Sequence, residues 1–411
     1  MIEFRRSEEK MGRITVVGVH VRSFYRNVLF RSLSVAANVT TQKLMVTDQD
    51  GLHNQTSREI YLNEENLSEN IEKTPKQKRK KFAILMAYCG FGYHGMQMDK
   101  SGYPTIENTL ISALIKAECV PEKCFYDLKE VRFQRCARTD KSVSALAQVV
   151  SLKLFNSCTN PIEKINSYLP PEIRVLGINR VTNGFSAKDK CNARTYSYTL
   201  PTFALSRSGG VSPDSSFRLP REDFHVINEL LSFYKGTRNF HNFTKFKLAT
   251  DKSAHRHIMD VCCSEPFLHH GVEFTRILVK GHSFMQHQIR KMVCLVIAVA
   301  RGLVSPDLLP HSVQMDKINI PRAPGLGLVL EFTHFDYYNQ CFHDRTLHDP
   351  ITWEEFLPVR EAIREEKIMP AIIEGELNDL SMCHWLQKLC THDFMNVANK
   401  YDPQTYHNGI L

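Results

Sequence analysis

The stretch VRFQRCARTDKSVSALAQVVSLKL, Val131 to Leu154, sets two β-like runs on either side of Arg138-Thr139-Asp140-Lys141. Hairpin connections favour Gly, Asn and Asp for backbone reasons. An Arg and a Lys flanking one Asp answer no such need. A carboxylate at the end of a strand is well held, because the sheet fixes its backbone. Beside guanidinium groups it stays ionised at neutral pH, since opposite charge favours the charged form. Such a group can act as a nucleophile, a general base or a metal ligand. The plain alternative is a surface turn with an ion pair worth under about 1 kcal/mol. A metal site would need companion carboxylates, and none is visible nearby in the sequence.

Working outward, Phe82–Tyr88 (FAILMAY) reads as a buried strand and runs into the glycine-rich CGFGYHGMQ. Ile106, Leu110, Ala113, Leu114 and Ala117 then recur at helical spacing. Strands are expected near 130–138, 147–154 and 173–181, with a helix near 161–169 between the last two. The order βαββαβ returns with strands at 192–200, 256–264, 272–280 and 326–334 and helices at 221–234 and 284–301. Ser283 with Gln286 three residues on suggests a capping box for the last helix. This pattern predicts an α+β fold: two ferredoxin-like halves, 81–185 and 186–340, forming one extended antiparallel sheet with helices on one face. The halves share element order and no sequence identity. Within the C-terminal extension, 341–411, WEEFLPVREAIREEKI reads as a surface helix and LSMCHWLQKL as one packing back on the body; neither carries evident chemistry.

Residues 1–80 read as an appendage. Lys10 to Thr47 holds no acidic residue while Arg13, Arg22, Arg26 and Arg31 are spread through it, a composition that fits a mitochondrial presequence. The basic run KTPKQKRKK, Lys73–Lys81, fits a nuclear localisation signal or a nucleic-acid patch. The chain carries +8, but residues 1–81 hold 15 basic and 10 acidic residues, leaving only +3 elsewhere. That is a weak global pull on polyanions. The 12 cysteines include no C-x-x-C pair, so reduced thiols are expected rather than zinc or a disulfide scaffold. The longest apolar run, Met292–Ala300, falls far short of the roughly 20 residues that span a bilayer.

CARTDKSVSALAQVVSLKL resembles the signature of the TruA superfamily of pseudouridine synthases, whose core pattern is R-T-D-x-G-V. GYHGMQ (Gly92–Gln97), ARTYSY (Ala193–Tyr198), KGTRNFHNFT (Lys235–Thr244), SFMQHQIRKMV (Ser283–Val293) and APGLGLVLE (Ala323–Glu331) match further family motifs in order, GYHGMQ those of the eukaryotic branch. The Asp-Lys-Ser of the first motif is also similar to the phosphorylated loop of transport ATPases, but Ser142-Val143 stands where that loop has Thr-Gly. The TruA resemblance spans about 80–340. It implies a central RNA-binding cleft and cofactor-free isomerisation of uridine, mainly in tRNA and in some other structured RNAs, with no metal. The uracil is detached, rotated and rejoined through carbon 5. Asp140 matches the essential aspartate, which attacks either the anomeric carbon or the base. Arg138 matches the arginine that fills the space of the flipped nucleotide, Tyr196 the tyrosine packing on the target base, and Arg290 the arginine paired with the aspartate. Flipping is physically required, because the reacting atoms are inaccessible inside a stacked helix. Lys141, Arg194, Lys245, Lys247 and Lys291, each near a motif, are the expected phosphate contacts. Ser142 departs from the family glycine; a positive φ there would cost roughly 1 kcal/mol. A non-catalytic RNA-binding factor and a glycosidase releasing uracil are the competing functional classes.

Overall fold

The computed structural model describes residues 78–396 apart from 99–101, 156–159, 208–209, 211, 214, 246 and 343–347. The arginine-rich start and the first part of the basic run lie outside the described residues. Arg79, Lys80 and Lys81 open the first strand instead.

Among the described residues ten strands form one sheet: β1 (Arg79–Tyr88), β2 (Gln134–Arg135), β3 (Ser144–Phe155), β4 (Ile173–Arg180), β5 (Ala193–Pro201), β6 (Gly236–Asn239), β7 (His255–Cys263), β8 (Phe267–His269), β9 (Val272–Gly281) and β10 (Leu328–His334). Their order is β4-β1-β3-β10-β5-β9-β7-β6, with β2 on β3 and β8 on β9. Every pairing is antiparallel except β3 with β10, where Val329 faces Ser144 and Leu330 faces Ala145. The long strands fall close to their expected positions. The strand expected at 130–138 does not: only Gln134 and Arg135 join the ladder, opposite Ser151 and Val150. Arg132 at φ +50 takes the chain out of extended geometry just before them.

One face of the sheet carries α1 (Ile106–Lys116), α2 (Pro161–Tyr168), α3 (Arg221–Ser232) and α4 (Gln288–Ala300). Thr105 caps α1, its hydroxyl accepting from the Asn108 amide at 3.3 Å. Leu110, Leu114, Ile227, Met292 and Val296 bury into the core lined by Ile84, Met86 and Tyr88 of β1. Each such side chain contributes about 1.5–3 kcal/mol.

The expectation of helices on one face only is overturned. The C-terminal segment folds back as α5 (Leu357–Ile363), α6 (Met369–Leu377) and α7 (Ser381–Cys390). Ile368 and Ile372 pack on Leu146 and Val329, while Trp353 packs with Leu85 and Val149. These residues point away from α1–α4, because side chains alternate across a strand. The segment read as a surface helix therefore covers the second face of the sheet, and its Arg360 is buried. That guanidinium donates to the carbonyls of Leu146 and Glu331 at 2.9 and 2.7 Å. No described helix is long and apolar enough to cross a membrane.

Candidate active site

The connection from β2 to β3 is a braced loop. Gln148 of β3 holds Ala137, accepting from its amide and donating to its carbonyl. Thr139 is buried, its hydroxyl 2.8 Å from the Tyr88 hydroxyl. The Thr139 carbonyl also accepts from the Met96 amide at 3.1 Å. Gly95 makes that approach possible: at φ +102, a Cβ on it would lie 2.7 Å from the same carbonyl oxygen. The loop closes with the Val143 amide donating to the Asp140 carbonyl. Ser142, the third residue of this turn, sits at φ +63. Such a position ordinarily takes glycine, so the strain anticipated there is present.

Asp140 emerges from this frame into a cavity of about 850 Å³ whose walls include Arg138, Lys141, Tyr196, Phe284, His287 and Arg290. Its Oδ2 lies 3.4 Å from an Arg290 terminal nitrogen. The Arg290 Nε donates to the Ala323 carbonyl at 2.7 Å, which fixes the guanidinium plane. The closer partner is His287, which sequence reasoning missed. Its Nδ1 is 2.7 Å from Asp140 Oδ2, and its Nε2 is 3.1 Å from an Arg322 guanidinium nitrogen. Arg322 can only donate, so Nε2 accepts and Nδ1–H is the donor to Asp140. Burial pushes the Asp140 carboxyl up, yet His287 first and Arg290 second outweigh it and hold the group below the ordinary carboxylate range.

His287 reaches Asp140 because α4 starts late. The expected capping box at Ser283 and Gln286 does not form; the helix opens at Gln288, preceded by His287 at φ +65. The Gln288 side chain instead accepts from the Met285 amide at 2.9 Å. Residues 283–287 thus leave the helix and line the cavity. The one available signal was the placement of His287 three residues before Arg290 in a helical pattern, and a regular helix concealed it.

Tyr196 of β5 is buried, its ring edge-on to Phe284 at 5.3 Å between centroids. Burial raises its hydroxyl well above the usual phenol range. It is therefore a neutral phenol throughout the physiological range. Arg138 is exposed at the cavity rim beside Lys141.

Two expected phosphate contacts are corrected. Arg194 is buried and donates to the carbonyls of Cys136, Lys188, Cys191 and His282 at 2.8–3.1 Å. It ties the cavity walls together and offers no free donor face to RNA. Lys291 donates to the carbonyls of Asn242 and Thr244 at 3.0 and 3.4 Å. Burial, then the charges of Lys317 and Arg322, push its ammonium down to about 8. Lys245 is exposed, and Lys247 is half-buried and 3.8 Å from Asp251.

A family model described as tRNA pseudouridine synthase matches residues 231–336. Over 332 residues the chain is 48% identical to the pseudouridylate synthase 1 homolog of Mus musculus, which covers 80% of this chain and 78% of that one. It is 49% identical over 317 residues to the Homo sapiens pseudouridylate synthase 1 homolog, covering 77% of this chain and 74% of that one. Against the tRNA pseudouridine synthase 1 of Yarrowia lipolytica identity is 30% over 426 residues, covering 79% and 80%. Likeness of this extent settles the family: the chain belongs to the tRNA pseudouridine synthase family of enzymes.

Proposed function

We propose that the protein isomerises uridine to pseudouridine in tRNA and in some other structured RNAs, with Asp140 as nucleophile and no cofactor. The observation that carries the reading is the Asp140 carboxylate, held ionised by His287 and Arg290 in a cavity lined by Tyr196. The volume of about 850 Å³ suits a flipped nucleotide. Arg138, exposed at the rim, takes the place the uridine leaves in the stack. The carboxylate attacks the anomeric carbon or the base. The N1–C1′ bond breaks, the uracil turns, and a C5–C1′ bond forms; the bond to the carboxylate breaks in the same course, so Asp140 leaves as the free carboxylate. The C5 proton is lost as N1 gains one, and the neutral Tyr196 hydroxyl is placed to relay it.

Lys141, Lys245 and Lys247 then grip phosphates, which makes binding salt-sensitive. The sheet is read as two ferredoxin-like halves, supported by the matching orders β4-β1-β3-β2 and β10-β5-β9-β7. The arginine-rich start and the basic run address the enzyme to the mitochondrion and the nucleus, which imaging of tagged full-length and truncated chains tests.

Purified wild type and Asp140→Ala, each incubated with tRNA, test the chemistry. Wild type forms pseudouridine; the variant binds tRNA and forms none. An active variant would remove the nucleophile. Free uracil from wild type would make the enzyme a glycosidase, and binding without conversion would make it an RNA-binding factor.

A further inference from the structure

We propose that a second groove, continuous with the catalytic cavity, receives the phosphodiester backbone of the RNA flanking the target uridine. This rests on the reading above and assigns RNA contacts to residues outside the family motifs. The groove holds about 460 Å³ and is lined by Lys81, Lys129 and Arg132 over an apolar floor of Leu128, Phe133 and Phe185. Gln134 and Asp189 line both the groove and the cavity, so an RNA strand leaving Asp140 enters it directly.

The turn that builds the groove is fixed. The Arg132 amide donates to the Lys129 carbonyl at 3.0 Å, and the Lys81 ammonium donates to the Arg132 carbonyl at 2.7 Å. Lys129 and Arg132 are exposed. Among the lining residues three cations, Lys81, Lys129 and Arg132, stand with one carboxylate, Asp189, and Asp127 beside the turn accepts from the Lys129 amide at 2.9 Å. Glu130 is not part of the lining and pairs with Arg79 and Lys123, both at 2.9 Å. Asp189, the one acidic lining residue, accepts from the Ser186 hydroxyl at 2.8 Å at the shared rim. Burial, then the charges of Arg132 and Lys153, push the Lys81 ammonium down to about 8. Like charges held together raise the free energy of the empty groove, and a phosphate relieves them, which is how a polyanion site gains affinity without base contacts.

The test is the double variant Lys129→Ala with Arg132→Gly. Arg132 sits at φ +50, a conformation glycine adopts freely, so the turn is retained. Thermal unfolding checks the fold. With full-length tRNA the expected outcome is a KM raised about tenfold or more and a plot of log affinity against log salt shallower by about 2, one for each phosphate no longer gripped. The variant Lys129→Arg with Arg132→Lys keeps the wild-type salt slope. An unchanged KM and salt slope in the double variant would overturn the groove. Failure of wild type to convert uridine would overturn the parent reading instead, and the salt slope would still decide the groove.

Discussion

His287→Asn probes the electrostatics of the site more directly than removal of the nucleophile. His287 occupies the left-handed region at the N-terminus of α4. Asparagine tolerates that conformation and is a favoured helix cap, so the backbone survives the change. Its side chain is too short to take over the 2.7 Å contact with Asp140 Oδ2. A hydrogen bond to an ionised carboxylate contributes about 1.5–3 kcal/mol. The remaining Arg290 contact, at 3.4 Å, is near the outer limit for a hydrogen bond and compensates weakly. At 1.36 kcal/mol per factor of ten, the loss makes ionisation of Asp140 roughly 10- to 150-fold less favourable. The direction follows from the folded state. Wild-type Asp140 sits below the ordinary carboxylate range, so activity persists into acid until the pH passes through that lowered value. Without His287 the burial that raises the carboxyl loses its strongest opponent, and the acid limb of kcat/KM moves to higher pH. Tritium release from tRNA labelled at uridine C5, measured from acidic to mildly alkaline buffer, reads the limb. The variant should lose more activity in acid than in alkali. Superimposable acid limbs would refute the assignment of His287 as the group that keeps Asp140 ionised.

Three further outcomes are expected. Ser142→Gly relieves a positive φ and raises stability by about 1 kcal/mol, read as a higher Tm with activity retained. Tyr196→Phe keeps the edge-on contact with Phe284 but removes the hydroxyl; kcat falls about 10²–10⁴-fold with KM little changed, and single-turnover assays check it. Arg364→Met strands Glu331, whose carboxyl lies 2.6 Å from Arg364 and is held below the ordinary range although burial raises it. The pair stabilises the wild type above the ordinary carboxylate range and fades as pH falls through the lowered value. The variant therefore loses about 3–5 kcal/mol near neutrality and less in acid, where Glu331 protonates, and urea midpoints at both pH values decide it.

The sheet was largely legible because strands buried on both faces are long apolar runs and their spacing sets the element order. What failed was local. The strand expected at 130–138 gave way to a turn that depends on a positive φ at Arg132, and no residue type announces such a conformation. The cap predicted at Ser283 fits local propensity, but tertiary contacts override it by spending residues 283–287 on the cavity wall. Arg194 and Lys291 look like surface cations in sequence; only the fold reveals that backbone carbonyls surround their charged ends. LSMCHWLQKL packs back on the body as expected, its Met382, Cys383, Leu386 and Leu389 buried in the core; the segment read as a surface helix was misplaced because an arginine at position 360 argues for solvent. In the structure its guanidinium lies 4.2 Å from the centroid of the Phe332 ring and 5.3 Å from that of Trp353, between two carbonyl acceptors.

The parallel pairing of β3 with β10 explains why motifs so far apart in sequence make one site. Both strands run the same way, so the loops that precede them arrive at the same end of the sheet. The loop before β3 brings Asp140, and the segment before β10 brings Ala323, whose carbonyl orients Arg290. Gly325 lies where they meet: a Cβ there would stand 3.2 Å from the Lys141 carbonyl oxygen and 3.5 Å from the Arg290 guanidinium carbon. A larger residue would force the two loops apart and lengthen an Asp140–Arg290 contact already at 3.4 Å. Gly325, the first glycine of APGLGLVLE, is thus part of the electrostatics of the aspartate. Beneath the same seam, Arg360 of the C-terminal extension bridges the Leu146 carbonyl of β3 and the Glu331 carbonyl of β10. The extension is therefore the far-side clamp of the pairing that assembles the site.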